Sequence, residues 1–91
     1  MKYLEKIKKL RLKIQETDKV IIKNLANRLN LVKEIGELKT EHNLDYVDVT
    51  REKFLIDFYK DICKQHQISA ELIIELSKVI FKHCRKIQKS T

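Results

Sequence analysis

The sequence predicts an all-α protein, and its composition is the reason. Lys, Glu and Leu, which are strong helix formers, are abundant throughout the chain. Its 91 residues include one Gly and no Pro, whereas sheets need tight turns that are rich in these residues. The lack of glycine also excludes P-loop and dinucleotide-binding folds, in which several glycines let the backbone approach a phosphate. We expect one domain, over residues 1–91, with a small core.

A first, very long helix is predicted from Tyr3 to about Glu41, because apolar residues recur at helical spacing. They are Leu4, Ile7, Ile14, Ile21, Leu25, Val32 and Ile35. Gly36 is a weak helix breaker, and a helix that ends there is the alternative. A helix of about 39 residues is roughly 58 Å long, whereas a globule of this chain length is about 30 Å across. We therefore expect an intertwined homodimer, in which a second chain covers the apolar stripe.

A second helix is predicted from Val49 to about Lys64, after a loop over His42 to Val47. Asp48 precedes the helix and is a good N-cap residue. Four residues form its expected apolar face: Leu55, Phe58, Tyr59 and Ile62.

A third helix is predicted to end at about Lys89, after a short connection over 65–68 and an N-cap at Ser69. Ile68 and Ile73 have the spacing of a hydrophobic staple. One face of this helix combines polar and apolar side chains: Ser77, Phe81, Cys84 and Gln88. Cys84 and Gln88 are therefore expected to face the same cavity.

The charge pattern argues against nucleic acid as a partner. The formal net charge is +7, but 16 of the 20 basic residues are Lys, and they are scattered along the chain. Nucleic-acid readers rely on Arg and on clustered patches with stacking aromatics. The sequence also has no apolar run of about 18 residues, so no membrane span is expected.

The cysteines and histidines indicate neither a disulfide framework nor a metal site. Cys63 and Cys84 lack CxxC spacing, which fits a reduced, cytoplasmic protein. His66 and His83 lie near these cysteines, but the four residues lack the paired spacing of zinc ligands. No metal is therefore expected.

Four charged residues lie on the apolar stripe when the first helix is numbered in heptads from Leu4: Arg11, Asp18, Arg28 and Lys39. A buried cation without a partner is unstable. One interpretation is that Asp18 pairs with one cation while the others extend to solvent. The other is an interior pocket that binds an anion with more than one negative group.

A second charged cluster, Asp48, Arg51 and Glu52, lies at the start of the second helix. It has a structural interpretation, in which Asp48 caps the helix, Glu52 favours its N-terminus and Arg51 is solvated. In the functional interpretation the cluster lines the same pocket.

Together these clusters resemble the all-helical chorismate mutase family of small intertwined dimers. The resemblance is carried by the segments LRLKIQETDKVIIKNLANRLNLVKEIGELK, DVTRE and VIFKHCRKIQ, which span nearly the whole chain. It implies an isomerase that converts chorismate to prephenate in aromatic amino-acid biosynthesis, the shikimate pathway. It also implies a cytoplasmic enzyme that needs no cofactor, because the rearrangement is unimolecular.

The resemblance further implies a site built from two chains. Arg11 would reach into the partner's site, and the chain's own site would be lined by Arg28, Lys39, Asp48, Arg51, Glu52, Cys84 and Gln88. Cys84 stands where the family commonly has Ser, and a thiol is a weak hydrogen-bond donor.

The same resemblance assigns roles to these residues. Arg28 and the partner's Arg11 would bind the two carboxylates of chorismate. Lys39 and Gln88 would donate to the ether oxygen as its bond breaks. Glu52 would accept a hydrogen bond from the ring hydroxyl.

Two other functions remain open at this point. Isochorismate pyruvate lyase is similar in fold and also has a cationic pocket. The DVTRE segment favours the mutase, because it supplies an acceptor for the hydroxyl of chorismate. The second alternative is a non-enzymatic basic helical dimer, which predicts Lys clustered on one outer face.

Overall fold

The computed structural model describes residues 2–90, which form three α-helices: α1 (Lys2–Glu41), α2 (Val49–His66) and α3 (Ala70–Lys89). No strand occurs among these described residues, so the all-α prediction is confirmed. None of the described helices is long and apolar enough to cross a membrane.

α1 continues through Gly36, although glycine weakens a helix interior by about 1 kcal/mol relative to Ala. Gly36 is buried, and the Thr40 hydroxyl donates to its carbonyl oxygen at 3.0 Å. The helix ends where Asn43 adopts a left-handed conformation, with φ of 54°. The Leu44 amide then donates to the Lys39 carbonyl at 2.8 Å, which closes the last turn as a Schellman motif.

α2 ends at His66, two residues beyond the predicted end at Lys64. Gln67 follows in a left-handed conformation, with φ of 57°. The amides of Gln67 and Ile68 both donate to the Cys63 carbonyl, which stops the helix. The sequence did not reveal this stop because glutamine rarely adopts this conformation, which is strained for a residue with a Cβ atom.

α3 starts where predicted, but not with the predicted side-chain cap. Ser69 occupies the N-cap position with an extended backbone, and its side chain makes no capping hydrogen bond. Its carbonyl accepts from the Ile73 amide at 3.4 Å. The first turn is exposed, so water can satisfy the amides that a serine hydroxyl would otherwise bind.

The chain divides between Leu31 and Val32 into two compact units. The first unit is the N-terminal part of α1, and none of its described residues is buried. Large apolar side chains nevertheless lie along it with 39–66% of their surface exposed. They include five members of the predicted stripe: Leu4, Ile7, Ile14, Ile21 and Leu25.

The second unit contains the end of α1 together with α2 and α3, and α2 packs against α3. Its buried side chains include Val32, Cys63, Ser77, Phe81, Cys84 and Gln88. On α2, Leu55, Tyr59 and Ile62 are half-buried as the predicted apolar face requires.

Phe58 departs from that prediction, because it is 49% exposed. Its ring lies 6.3 Å from the ring of Phe54, and the two planes are 5° apart. Residues four apart lie on the same helix face, so the two rings form a stacked pair on the solvent side of α2.

Candidate active site

An ion pair joins the start of α2 to the end of α3. A single nitrogen of Arg85, Nη2, donates to both carboxylate oxygens of Glu52, at 2.6 and 2.7 Å. Both side chains are partly shielded from solvent, with 38% of Arg85 and 24% of Glu52 exposed. The pair therefore holds the Glu52 carboxylate beside the last turns of α3.

The sequence analysis did not single out Arg85, the residue that contacts Glu52. It lies 33 positions after Glu52, and no helical periodicity relates residues on two different helices. The only signal in the sequence was chemical, since Arg85 is one of four arginines and is followed three residues later by Gln88. Positions three apart lie on the same side of a helix.

The predicted mixed face of α3 is confirmed, because all four of its residues are buried: Ser77, Phe81, Cys84 and Gln88. The Ser77 hydroxyl donates to the Ile73 carbonyl at 2.6 Å, which satisfies its polar group within the helix. Cys84 and Gln88 are each 8% exposed and lie one turn apart on this face. The polar groups on this face near the end of α3 are thus the Cys84 thiol and the Gln88 amide.

Asp48 is the N-cap of α2, as predicted. Its backbone is extended, and its Oδ1 atom accepts from the Arg51 amide at 2.9 Å. Its carbonyl accepts from the Glu52 amide at 3.0 Å. The exposed Asp48 side chain is therefore used by the helix end, which fixes the first turn that carries Glu52.

Removal of this cap is expected to destabilise the fold. Asp48→Ala should lower the free energy of unfolding by about 1 kcal/mol, whereas Asp48→Asn should retain most of it, since asparagine caps equally well. Urea unfolding of both variants at one protein concentration tests this expectation. Equal stability of Asp48→Ala and the wild type would contradict the capping role.

Arg51 is exposed, and its guanidinium carbon lies 5.2 Å from the centre of the Phe54 ring. This distance is typical of a cation–π contact. Arg51 therefore extends along the outer face of α2, which agrees with the solvated interpretation of its side chain.

Lys39 is half-buried at the end of α1. Its Nζ atom donates to the Tyr46 carbonyl at 3.4 Å, a long hydrogen bond. The Tyr46 hydroxyl in turn lies 2.7 Å from the Thr40 hydroxyl. The loop between α1 and α2 thus folds back on the helix and holds the Lys39 side chain, whose ammonium has further donors for a ligand.

The other charged residues of the predicted stripe belong to the first unit. Arg11 and Asp18 are exposed and Arg28 is half-buried. Because Asp18 is exposed, its charge needs no partner on the helix.

The last turn of α3 also borders an open depression of about 360 Å³. It is lined by Lys33 from α1 and by Lys86, Ile87 and Ser90. Lys33 of α1 thus faces the last turn of α3 across this depression, and Lys39, Glu52 and Gln88 all belong to the second unit.

This arrangement suits a reaction that needs binding and charge stabilisation. The second unit offers the Glu52 carboxylate, the Gln88 amide and two cations, Lys39 and Arg85. Among the residues that the structure describes, no group of three or more His, Cys, Asp or Glu is placed to hold a metal ion.

Comparison with known proteins agrees with this chemistry. The sequence model of the family described as chorismate mutase type II matches residues 10–89. A chorismate mutase of Methanocaldococcus jannaschii is 31% identical over 86 residues, which cover 94% of this chain and 87% of that protein. No solved structure matches the chain significantly.

Two longer proteins match as well. A bifunctional chorismate mutase/prephenate dehydratase of Buchnera aphidicola (subsp. Acyrthosiphon pisum) is 34% identical over 76 residues, or 84% of this chain. The T-protein of Haemophilus influenzae is 33% identical over 73 residues, or 80% of this chain. The matched region spans about a fifth of each of these two proteins.

The family match covers most of the chain, and the first relative is similar over nearly its whole length. Chorismate mutases are isomerases, and the three helices agree with the all-α fold that the family resemblance implies. The chain belongs to the chorismate mutase type II family.

Proposed function

We propose that this chain rearranges chorismate to prephenate with a site built around Lys39, Glu52 and Gln88. The observation that carries the proposal is the position of Glu52, whose carboxylate is held beside the turn of α3 that carries Gln88. The site would thus present a hydroxyl acceptor and an ether-oxygen donor to one small molecule. The product is a precursor in aromatic amino-acid biosynthesis.

The chemistry needs no proton transfer and no nucleophile, because the rearrangement breaks one C–O bond and forms one C–C bond within a single molecule. The enzyme accelerates it by holding a compact conformer and by stabilising charge on the ether oxygen. Lys39 and Gln88 donate to that oxygen as its bond breaks. Glu52 accepts from the ring hydroxyl and fixes the orientation of the ring.

The remaining residues hold the ends of the substrate. Arg28 and Arg11 of the partner subunit bind the two carboxylates, since guanidinium forks match carboxylate geometry. Asp48 and Arg51 order the first turn of α2. Cys84 forms the wall beside Gln88 and contributes at most a weak hydrogen bond. No cofactor takes part.

Incubation with chorismate tests the proposal directly. We expect loss of the ultraviolet absorbance of chorismate and prephenate as the product. Incubation with isochorismate in parallel tests the lyase alternative, and release of pyruvate there without conversion of chorismate would refute the mutase assignment.

We also propose that the active form is a homodimer and that residues 1–91 act as one domain in it. Apolar side chains of the first unit are exposed in the single chain, and exposed apolar surface of this extent marks an interface. A second copy is the partner that fits, because two identical stripes complement each other about a two-fold axis.

The dimer is expected to be obligate. Sedimentation at micromolar protein concentration should show only dimer. The helical content should fall on dilution, because burial of the stripe contributes to folding. A folded and active monomer at that concentration would contradict the prediction.

The protein is further proposed to act in the cytoplasm. Cys63 and Cys84 are both buried and not joined in a disulfide, which suits a reducing compartment.

A further inference from the structure

The Arg85–Glu52 pair has a geometry that differs from the usual fork-to-fork contact between arginine and a carboxylate. One nitrogen, Nη2, is shared by both oxygens at 2.6 and 2.7 Å. A donor placed symmetrically between the two oxygens fixes the direction in which the carboxylate points. It therefore controls the orientation of the Glu52 carboxylate.

The contact leaves Glu52 able to bind a second group. An ionised carboxylate has about four acceptor positions on its two oxygens, and Arg85 uses one on each. Glu52 keeps 24% of its side chain exposed. A hydroxyl can thus donate to Glu52 while Arg85 stays in place.

The position of Arg85 in α3 is favourable for holding the Glu52 carboxylate. It lies one residue after Cys84 and three before Gln88, both of which are buried. Its own Nε atom is buried and has no hydrogen-bond partner among the described residues. The guanidinium is directed at Glu52 through Nη2.

We propose that Arg85 is a positioning residue of the active site, which orients the Glu52 carboxylate toward the ring hydroxyl of the substrate. The inference rests on the proposed role of Glu52 as the hydroxyl acceptor. An acceptor that is already oriented loses little conformational freedom when the substrate binds. Arg85 thereby contributes to the selection of substrates that carry the hydroxyl.

The test compares chorismate with an analogue in which hydrogen replaces the ring hydroxyl. For each compound kcat/KM is divided by the rate of its uncatalysed rearrangement. The wild type should prefer chorismate, because the analogue leaves Glu52 without its ligand. Arg85→Met should lower kcat/KM for chorismate by about tenfold and leave that for the analogue nearly unchanged.

Two further variants sharpen the test. Arg85→Lys keeps the positive charge and a single donor nitrogen on a side chain that is one bond shorter, so it should retain part of the preference for chorismate. Lys82→Met removes an exposed cation from the same helix and should behave as the wild type. If Arg85→Met does not fold, Arg85→Gln, which keeps a polar end group, provides the same comparison.

The outcomes separate the inference from the function on which it rests. Equal losses for both compounds in Arg85→Met would mean a purely structural ion pair and would overturn the inference. In a Glu52→Gln background, a full further tenfold loss of kcat/KM from Arg85→Met would overturn it too. An active wild type that does not distinguish the two compounds would instead refute the role of Glu52, and a wild type inactive on chorismate would refute the proposed function.

Discussion

Arg28→Ala and Lys39→Ala are each expected to lower kcat/KM for chorismate by at least about a hundredfold while helical content is unchanged. Lys39 is half-buried and makes a hydrogen bond of 3.4 Å to the Tyr46 carbonyl, so its loss should affect the fold little. Arg28 is half-buried on α1. Both cations lie on the predicted stripe, and the proposed roles require them during the reaction.

The kinetic constants should separate the two roles. Removal of Lys39 should act mainly on kcat, because its interaction strengthens as the ether bond breaks, whereas removal of Arg28 should also raise KM. Lys23→Ala is a matched control, since Lys23 is an exposed cation on the same helix. Near-normal kinetics in either active-site variant, with circular dichroism like that of the wild type, would mean that its charge is structural.

A mixture of Arg11→Ala and Arg28→Ala chains is expected to regain activity that neither pure variant has. In a mixed dimer one of the two proposed sites receives an intact Arg28 from one chain and an intact Arg11 from the other. The two arginines are 17 residues apart on α1, which is roughly 25 Å of helix. Two side chains so far apart on one helix cannot hold the same small molecule, so a second chain is needed.

The experiment requires that chains exchange. The two variants are unfolded together and then refolded. A charged tag on one chain allows the mixed dimer to be separated from the two parent dimers. With random pairing, half of the dimers are mixed and each has one intact site, so the mixture should reach about a quarter of wild-type activity. Activity no greater than the sum of the parents, with mixed dimers present, would remove Arg11 from the proposed site.

Local features of the fold could be predicted because each depends on residues close together in the chain. The long α1 follows from apolar spacing, and the start of α2 follows from Asp48, which caps it as predicted. The buried face of α3 follows from helical periodicity. Gly36 was correctly treated as tolerable within a helix.

Features that depend on distant residues or on unusual backbone conformation could not be predicted. The contact of Arg85 with Glu52 joins two helices. Lys39 donates a hydrogen bond to the Tyr46 carbonyl in the loop that follows α1. Ser69 has the right residue type for a cap but does not use its side chain. For the proposed site the residue types could be predicted from the sequence. The local partners of Lys39, Asp48 and Glu52 are visible only in the structure.

The placement of the one glycine has a consequence for how this enzyme could be improved. Gly36 lies buried inside α1, whereas Asn43 and Gln67 occupy the left-handed positions that follow two helices. Glycine is the residue that fits such positions without steric strain. Glycine at either of these two positions is therefore expected to raise thermal stability, and neither position carries a group of the proposed site.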